Sequence, residues 1–536
     1  MGRAEDETHA ANVRAIDGFR CCSTHPTIID MKPSALPISR RAALAMPAGL
    51  VCLATPGLSA AEPKRGGTLR VAAGEAKTIE PIRMNNSGAI ALVQQVVEYL
   101  AWVESDLSLR PVLATGWSTP DGGKSWLFDI RQGVTFHNGQ ELTADDVVAS
   151  FRRFVDPASA SAGAAQLSFL KKEGISKTGP YQVRFELDRP IGQFPYYTTN
   201  YNAGILPAGL IGSFADHPIG TGPFKLVGYK PGESASFVRN ETYWQPGKPY
   251  LDRVEFGLYD SPQAMVIALQ GDQADLIVGT SYFDTLPLVG SPDFRILSTR
   301  SSEHRQLTMR VGSKPFDDKR VRQAVALCMR RPELIKGLLG GVGDMGNDHV
   351  VAPVFPVKTD LPQRTWELAQ AKQLLAEAGY PDGFDIDLYT ANYLELPQYA
   401  QLIEQMLRPA GIRAQLRIEP TDTYYEHWTE VQFGLTDWTS RPIPEQLMGE
   451  AFRSTSESNA AKWKNPVFDR ILNALEAEAD PARRSELANQ AAALLNDEVP
   501  AVVSYFTGNL RPTLSNVRGV EANISLFLEL TNAWLG

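Results

Sequence analysis

The sequence predicts an α/β protein with more than one sheet. Its clearest signal lies at residues 384–418, where a strand-like alternation at 384–389 is followed by helical apolar spacing at 399–407 and by a second alternation at 412–418. That order is typical of parallel strands joined by a right-handed crossover. The chain has 536 residues, of which 43% are hydrophobic and 21% charged, which predicts two or three soluble, folded domains.

The other elements follow from the same two periodicities, an apolar residue at every second position for strands and at every third or fourth position for helices. Glycine and proline mark several of their ends, among them Gly271, Gly379 and Pro409. The predicted elements are a strand at 66–72, helices at 90–102 and 263–270, a strand at 274–278 and a helix at 366–378.

The N-terminal region predicts export. From Met31 the chain carries the pair Arg40–Arg41, an apolar run at 42–58 and small residues that place a signal-peptide cleavage site after Ala61. The arginine pair resembles a twin-arginine signal, and a general secretory signal is the alternative. We interpret residues 1–30 as a mis-annotated start of translation. Removal of 1–61 leaves Cys328 as the one cysteine, so no internal disulfide is expected.

The search for catalytic and metal-binding patterns indicates neither an enzyme nor a bound cofactor. Residues 341–346 fit G-x-G-x-x-G, but they follow a helix-like segment and are interpreted as a turn. No histidine after residue 61 lies at metal-ligand spacing from another, so no metal site is expected. Asp145–Asp146 and Asp317–Asp318 are expected to be solvated or helix-capping. A net charge of −9 disfavours nucleic acid as a partner.

A series of short motifs runs through nearly the whole chain after residue 61. The motifs are LATGWS at 113–118, FDIRQGVTFHNG at 128–139, LTADDV at 142–147, GTGPF at 220–224, NETYW at 240–244, PFDDKRVRQA at 315–324, LLAEAGY at 374–380 and NPVFD at 465–469. In their order and spacing the chain resembles the family 5 extracellular solute-binding proteins, the oligopeptide, dipeptide and nickel-chelate binders of ABC importers. Within the motifs, Thr143 is expected to cap a helix and His137 to be a hydrogen-bonded turn residue.

The resemblance implies a two-lobed, periplasmic-binding-protein type II-like fold with a subdomain inserted in the first lobe. Mapped onto this chain, lobe I holds 62–300 and 507–536, with the insertion at about 111–230, and lobe II holds 301–506. Two crossings between the lobes, near 298–304 and 502–508, permit hinge bending.

The resemblance also implies the function. We expect a periplasmic monomer that captures a peptide or peptide-like solute in the cleft and delivers it to an inner-membrane ABC permease. A nickel-chelate or other non-peptide ligand is the alternative. An enzyme of the cell envelope, and a chaperone-like or signalling use of the same cleft, are the other function classes.

One departure from the peptide binders bears on the ligand. In those proteins the resemblance places an aspartate, which holds the ligand's α-ammonium, three residues after a tryptophan; here Trp438 is followed by Arg441. An arginine offers five donors and no acceptor, so we expect Arg441 to bind an anionic group of the ligand and Trp438 to stack on it. The alternatives are that Arg441 pairs with a protein carboxylate such as Glu445, and that Trp438 fills the core.

The other candidate ligand-binding residues lie in loops and at the crossings. They are Asn85 and Asn86 after the first strand, Asn392 and Tyr393 after the strand at 384–389, and Arg305, Tyr505 and Thr507 at the crossings. The polar and aromatic run at 196–202 is a further candidate for the lining of lobe I, and a surface loop is its equal alternative.

Overall fold

The structure is a computed structural model that describes residues 62–161, 163–210, 212–524 and 526–536. The predicted signal peptide, its arginine pair, the cleavage site and residues 1–30 lie outside the described residues. Within the described part of the chain, no helix is both long and apolar enough to span a bilayer.

Strands and helices alternate along most of the chain. The strands are β1 (Thr68–Gly74), β2 (Ala101–Val103), β3 (Leu109–Pro111), β4 (Ala114–Ser118), β5 (Ser125–Ile130), β6 (Leu170–Gly179), β7 (Gln182–Leu187), β8 (Phe224–Lys230), β9 (Ser234–Arg239), β10 (Arg253–Tyr259), β11 (Leu276–Val278), β12 (Phe294–Met309), β13 (Gly343–Met345), β14 (Phe384–Ala391), β15 (Ile412–Glu419), β16 (Phe433–Trp438), β17 (Ala501–Leu514), β18 (Val517–Arg518) and β19 (Trp534–Leu535). The α-helices are α1 (Ser87–Val93), α2 (Ala144–Val155), α3 (Phe194–Tyr197), α4 (Pro262–Gln270), α5 (Tyr282–Thr285), α6 (Lys319–Leu327), α7 (Arg331–Leu339), α8 (Leu368–Glu377), α9 (Leu396–Leu407), α10 (Thr421–His427), α11 (Pro444–Phe452), α12 (Pro466–Ala477) and α13 (Pro481–Glu498).

One large mixed sheet runs through the described residues. Its strand order is β15-β14-β16-β12-β17-β11-β1-β10-β9-β8, and β13 also pairs with β17. The strand pairs β14–β15 and β1–β10 are parallel, whereas β12 is antiparallel to both β16 and β17. A smaller antiparallel sheet, β4-β5-β7-β6, is formed within residues 114–187. The predicted α/β class and the parallel pair at 384–418 are confirmed.

The two long strands β12 and β17 join the two ends of the large sheet. They pair from Phe294 opposite Leu514 to Thr308 opposite Ala501, and the register is interrupted between Arg300 and His304. Such an interruption leaves residues unpaired and lets a sheet bend locally. The register break therefore lies within the stretch where the sequence predicts the first crossing.

Three of the apolar clusters show how the chain packs. One contains Leu69 and Phe256 and extends under the small sheet. A second contains Leu388 and Leu435 beneath β14 and β16. The third joins residues from distant parts of the chain, since it includes Val103, Leu107 and Ile524 together with 438, 447 and 506. The part of the chain before residue 300 is therefore packed against the part after it.

Most element predictions agree with the structure, and one needs correction. The helices at 263–270, 366–378 and 399–407 correspond to α4, α8 and α9. The predicted helix at 90–102 is wrong in its second half, because α1 ends at Val93 and Ala101–Val103 forms β2, paired with β3. The apolar residues Val96, Val97 and Leu100 are buried, so their spacing reflects burial in a non-helical segment.

Thr143 is the N-cap of α2, as predicted, and Asp146 completes the capping box at this helix start. The side chain of Asp146, which is buried, accepts hydrogen bonds from the backbone N–H of Thr143 (2.8 Å) and from that of Ala208 (2.9 Å). It thereby ties the helix start to a distant loop. Its neighbour Asp145 is exposed and pairs with Lys177 at 2.7 Å. His137 is also a turn residue as predicted, with its Nε2 3.0 Å from the carbonyl oxygen of Gly222.

The two adjacent aspartates should respond differently to truncation. We expect Asp146→Ala to lower the free energy of unfolding by about 1–3 kcal/mol, because it leaves buried backbone donors without an acceptor. Asp145→Ala is the matched control and should change it by less than about 0.5 kcal/mol. Urea denaturation of both variants measures the difference, and equal effects would contradict the capping role of Asp146.

Candidate functional site

The predicted site residues at the crossings meet where β16, β12 and β17 lie side by side. Arg305 on β12 is opposite Asp437 on β16. Tyr505 and Thr507 are on the neighbouring strand β17. Side chains alternate between the two faces of a strand, which places Tyr505 and Thr507 on one face of β17. Loops that follow β11, β14 and β16 complete the surroundings.

A narrow cavity beside Arg305, here called the Arg305 cavity, is lined from both parts of the chain. Its walls are residues 280–282 after β11, the strand residues Glu303, Arg305 and Thr507, and residues 394–395 after β14, with further residues of 339–342 and 508–510. Its volume is about 40 Å³, which accommodates a few water molecules. A peptide could enter only after the walls move apart.

Arg305 is the buried centre of a charged cluster. Its guanidinium donates to Glu395 Oε2 (3.1 Å) and to Glu303 Oε1 (3.0 Å), and its Nε lies 2.9 Å from Glu395 Oε1. The Tyr505 hydroxyl also donates to Glu395, at 3.3 Å. Arg305 and Tyr505, both predicted candidates, therefore lie together in the structure. Glu303 and Glu395, which contact them, were not predicted from the sequence.

A third carboxylate extends this cluster. Asp437 accepts a hydrogen bond from the Tyr425 hydroxyl and is half-buried. Tyr393, one of the predicted residues, is 41% exposed. Tyr393 follows β14 immediately before the cavity residues 394–395 and is open to solvent.

Arg441 is committed to a carboxylate of the protein. Its Nε and Nη2 donate to the two carboxylate oxygens of Glu450 at 3.0 and 2.9 Å. Glu445, the partner considered from the sequence, is instead bound by Arg484 at 2.6 Å. The alternative that Arg441 pairs with a protein carboxylate therefore agrees with the structure, but the partner is Glu450 and not Glu445. A bidentate pair of this kind neutralises the guanidinium. Arg441 therefore gives no reason to expect an anionic group on the ligand.

The backbone of Arg441 is also fixed. Its N–H donates to the Ser302 hydroxyl (2.8 Å), and that hydroxyl donates to the Arg441 carbonyl (2.7 Å). A second cavity of about 40 Å³ lies beside this loop. It is lined by 439–442, by residues 524 and 526–527, and by Tyr196, Thr199, Asn200 and Tyr201. The run at 196–202 thus contributes to a cavity lining.

Trp438 lies largely in the protein interior. It is 8% exposed and packs edge-to-face on Trp428, with ring centroids 5.9 Å apart. It belongs to the apolar cluster that joins the two parts of the chain. These contacts favour the alternative that Trp438 fills the core, beside the loop that carries Arg441.

The remaining candidates are not among the residues that line the two cavities. Asn86 caps α1 by accepting the N–H of Ala89 at 2.9 Å, while Asn85 is exposed. Asn392 is exposed, and its N–H donates to the carbonyl of Glu419 at 2.7 Å. Two larger cavities, of about 530 Å³ beside 329–333 and about 470 Å³ beside 519–523, contain none of the predicted site residues.

The comparisons with known proteins assign the class. The model of the bacterial extracellular solute-binding proteins, family 5 (middle region), matches residues 108–460. This match covers more than half of the chain, and the chain belongs to that family.

Individual relatives are distant but similar over most of their length. Heme-binding protein A of Haemophilus influenzae is 25% identical over 472 residues, which are 81% of this chain and 85% of the relative. The glutathione-binding protein GsiB of Escherichia coli is 24% identical over 458 residues, with 79% and 85% covered.

A solved structure confirms the expected fold. The periplasmic binding protein DppA of Helicobacter pylori, in complex with the peptide STSA, superposes with a TM-score of 0.77 at 22% identity, over 88% of this chain and 98% of the other. The periplasmic-binding-protein fold expected from the resemblance is therefore confirmed.

Proposed function

We propose that the protein is the substrate-binding component of an ABC importer and that it captures a peptide or peptide-like solute by hinge closure. The observation that carries the proposal is a pair of cavities, each walled by distant parts of the chain and lying beside the two long strands β12 and β17. Membership of family 5 supports the class. The peptide in the DppA structure and the glutathione in the name of GsiB support the ligand type.

The proposal includes the division into lobes. Lobe I comprises 62–300 and 507–536, with an inserted subdomain at about 111–230, and lobe II comprises 301–506. β12 and β17 are then the two connections, and the register break between Arg300 and His304 is a place where they bend. Two connections permit hinge bending while opposing free rotation.

We further propose a periplasmic location, reached through the signal at 31–61, and a monomer that docks on an inner-membrane ABC permease. The family is one of extracellular proteins, which supports export. The alternative ligand is a nickel chelate. Among the described residues no three or more His, Cys, Asp or Glu side chains are arranged to hold a metal ion, so a nickel ligand is proposed only as a complex with its own chelator.

Mass spectrometry of the material released from the purified, denatured protein tests the ligand class. A peptide or a peptide-like amide would support the proposal. A stoichiometric nickel signal with an organic chelator would replace it with the alternative. Native mass spectrometry before denaturation gives the stoichiometry of the bound solute.

Closure should be visible in solution. We expect the bound solute, at a hundredfold excess over Kd, to stabilise the protein by about 2.7 kcal/mol through mass action. X-ray scattering should show a smaller radius of gyration in the bound state, because the lobes approach each other. Tight binding without compaction would contradict the hinge.

A further inference from the structure

The carboxylates around Arg305 outnumber the cations that neutralise them. Glu303 and Glu395 contact the one guanidinium, and Asp437 lies opposite Arg305 on the neighbouring strand β16. The side chains of Arg305 and Glu395 are 2% and 3% exposed. Arg305 gives two of its contacts to Glu395 and one to Glu303. Arg441 cannot add a positive charge, since Glu450 neutralises it. The cluster therefore holds an excess of negative charge at the wall of the Arg305 cavity.

Two acceptor groups at this wall have capacity to spare. The hydroxyl of Thr507 is buried and has no hydrogen-bond partner among the described residues, and Thr507 is 6% exposed. Glu303 also lines the cavity, and its Oε1 accepts from Arg305. Its second carboxylate oxygen, Oε2, accepts no hydrogen bond from the described residues. A buried hydroxyl without a partner is costly, and such groups are normally satisfied by water or a ligand.

The electrostatic environment of Glu303 points the same way. Burial raises the pKa of Glu303, Arg305 opposes this rise, and the charges of Glu395 and Asp437 add to it. A carboxylate that is desolvated and close to two others gains more from an added cation than an exposed one does.

The cavity is large enough for an ammonium group. A primary ammonium group is close to a water molecule in size and offers three donors. The Arg305 cavity of about 40 Å³ has room for a few water molecules. An ammonium group therefore fits beside these acceptors even when the walls are as close together as they are here.

We propose that the Arg305 cavity is the subsite for a primary ammonium group of the solute, with the Glu303 carboxylate and the Thr507 hydroxyl as its direct acceptors. Asp437 supplies further negative charge, and Arg305 holds Glu303 in place. This inference rests on the proposed solute-binding function and names the substrate class: a solute with a free primary amine rather than an anionic or N-blocked one.

The test uses two probes, a degenerate tripeptide library with free amino termini and the same library after Nα-acetylation, both without lysine. The wild-type protein, stripped of bound solute by denaturation and refolding, is mixed with each library, and native mass spectrometry measures the bound fraction. We expect retention from the free library and about 30-fold less from the acetylated one.

Single substitutions test which side chains bind the ammonium group of the solute. Glu303→Gln should weaken retention of the free library by about 30-fold or more, because the ammonium loses a charged partner. Thr507→Val replaces the unpartnered hydroxyl by a methyl group; it should not lower thermal stability, because no hydrogen bond is lost, and it should still weaken retention several-fold. Asp385→Asn is the matched control, since Asp385 pairs with the exposed Arg413, and it should bind as the wild type does.

Each outcome bears on a different conclusion. Equal retention of both libraries, or wild-type retention by both Glu303→Gln and Thr507→Val, would overturn the ammonium subsite and leave the solute-binding function standing. No retention from either library by a correctly refolded wild-type protein would overturn the peptide ligand and this subsite together.

Discussion

Replacement of Arg305 by alanine is expected to lower the free energy of unfolding by about 3–5 kcal/mol, because it leaves buried carboxylates without their cation. Arg305 is 2% exposed and contacts both Glu303 and Glu395, and Glu395 is equally buried. Such a loss is a large part of the total stability of most proteins. Urea denaturation followed by far-UV circular dichroism measures it.

Two controls separate charge from packing. Arg413→Ala breaks an exposed pair with Asp385 and should cost at most about 1 kcal/mol. The double variant Arg305→Met with Glu395→Gln should regain much of the loss, since a buried pair replaced by groups without charge is often tolerated. If Arg305→Ala cost less than about 1 kcal/mol, the cluster would have to be hydrated or already protonated.

A β-carbon added at Gly340 is expected to oppose closure of the proposed lobes. Gly340 follows α7 in the left-handed conformation, with φ of 59°, and a β-carbon there would overlap the ring of Tyr282. Tyr282 begins α5 and lines the Arg305 cavity together with Leu339 and Val342. Overpacking of this kind costs up to about 3 kcal/mol, so Gly340→Ala should weaken solute binding by about 100-fold.

A double-mutant cycle tests whether the contact between Gly340 and Tyr282 is responsible. Tyr282→Ala removes the ring, so Gly340→Ala in that background should bind the solute nearly as Tyr282→Ala alone does. Unfolding experiments should show only the cost of an alanine in the left-handed region, about 1–2 kcal/mol, in both backgrounds. Isothermal titration calorimetry with the solute identified by mass spectrometry gives the affinities. Additive losses would indicate that the ring does not obstruct closure.

The elements that were predicted correctly share one property: their signals are local. The strand-helix-strand at 384–418 alternates or repeats within short windows, and the structure places β14, α9 and β15 there. The N-cap at Thr143 was likewise readable from adjacent residues. The helix predicted at 90–102 failed because buried residues of an irregular segment share the helical spacing, and pairing of β2 with β3 decided the conformation.

The residues of the candidate site were only partly predictable. Arg305, Tyr505 and Thr507 were recognised as candidates because they lie at the predicted crossings, and the structure brings them together at one cavity or its charged cluster. Glu303 could have been predicted, because it lies two positions before Arg305 on the same strand and side chains two positions apart lie on the same face of a strand. Glu395 could not, since nothing in the sequence relates it to a residue 90 positions earlier.

The family, the α/β class and the residues that approach the crossings could be predicted from the sequence, since these depend on local pattern and on the order of motifs. The charges that a solute would meet depend instead on the tertiary fold. Arg441 cannot bind an anionic group of a solute as a free cation, because Glu450 lies 2.9 Å from it. The cluster around Arg305 is negative because Glu303 and Glu395 contact its guanidinium and Asp437 lies opposite it on β16. Ion pairing acts over a few ångströms in space, and distance in space is fixed by the fold.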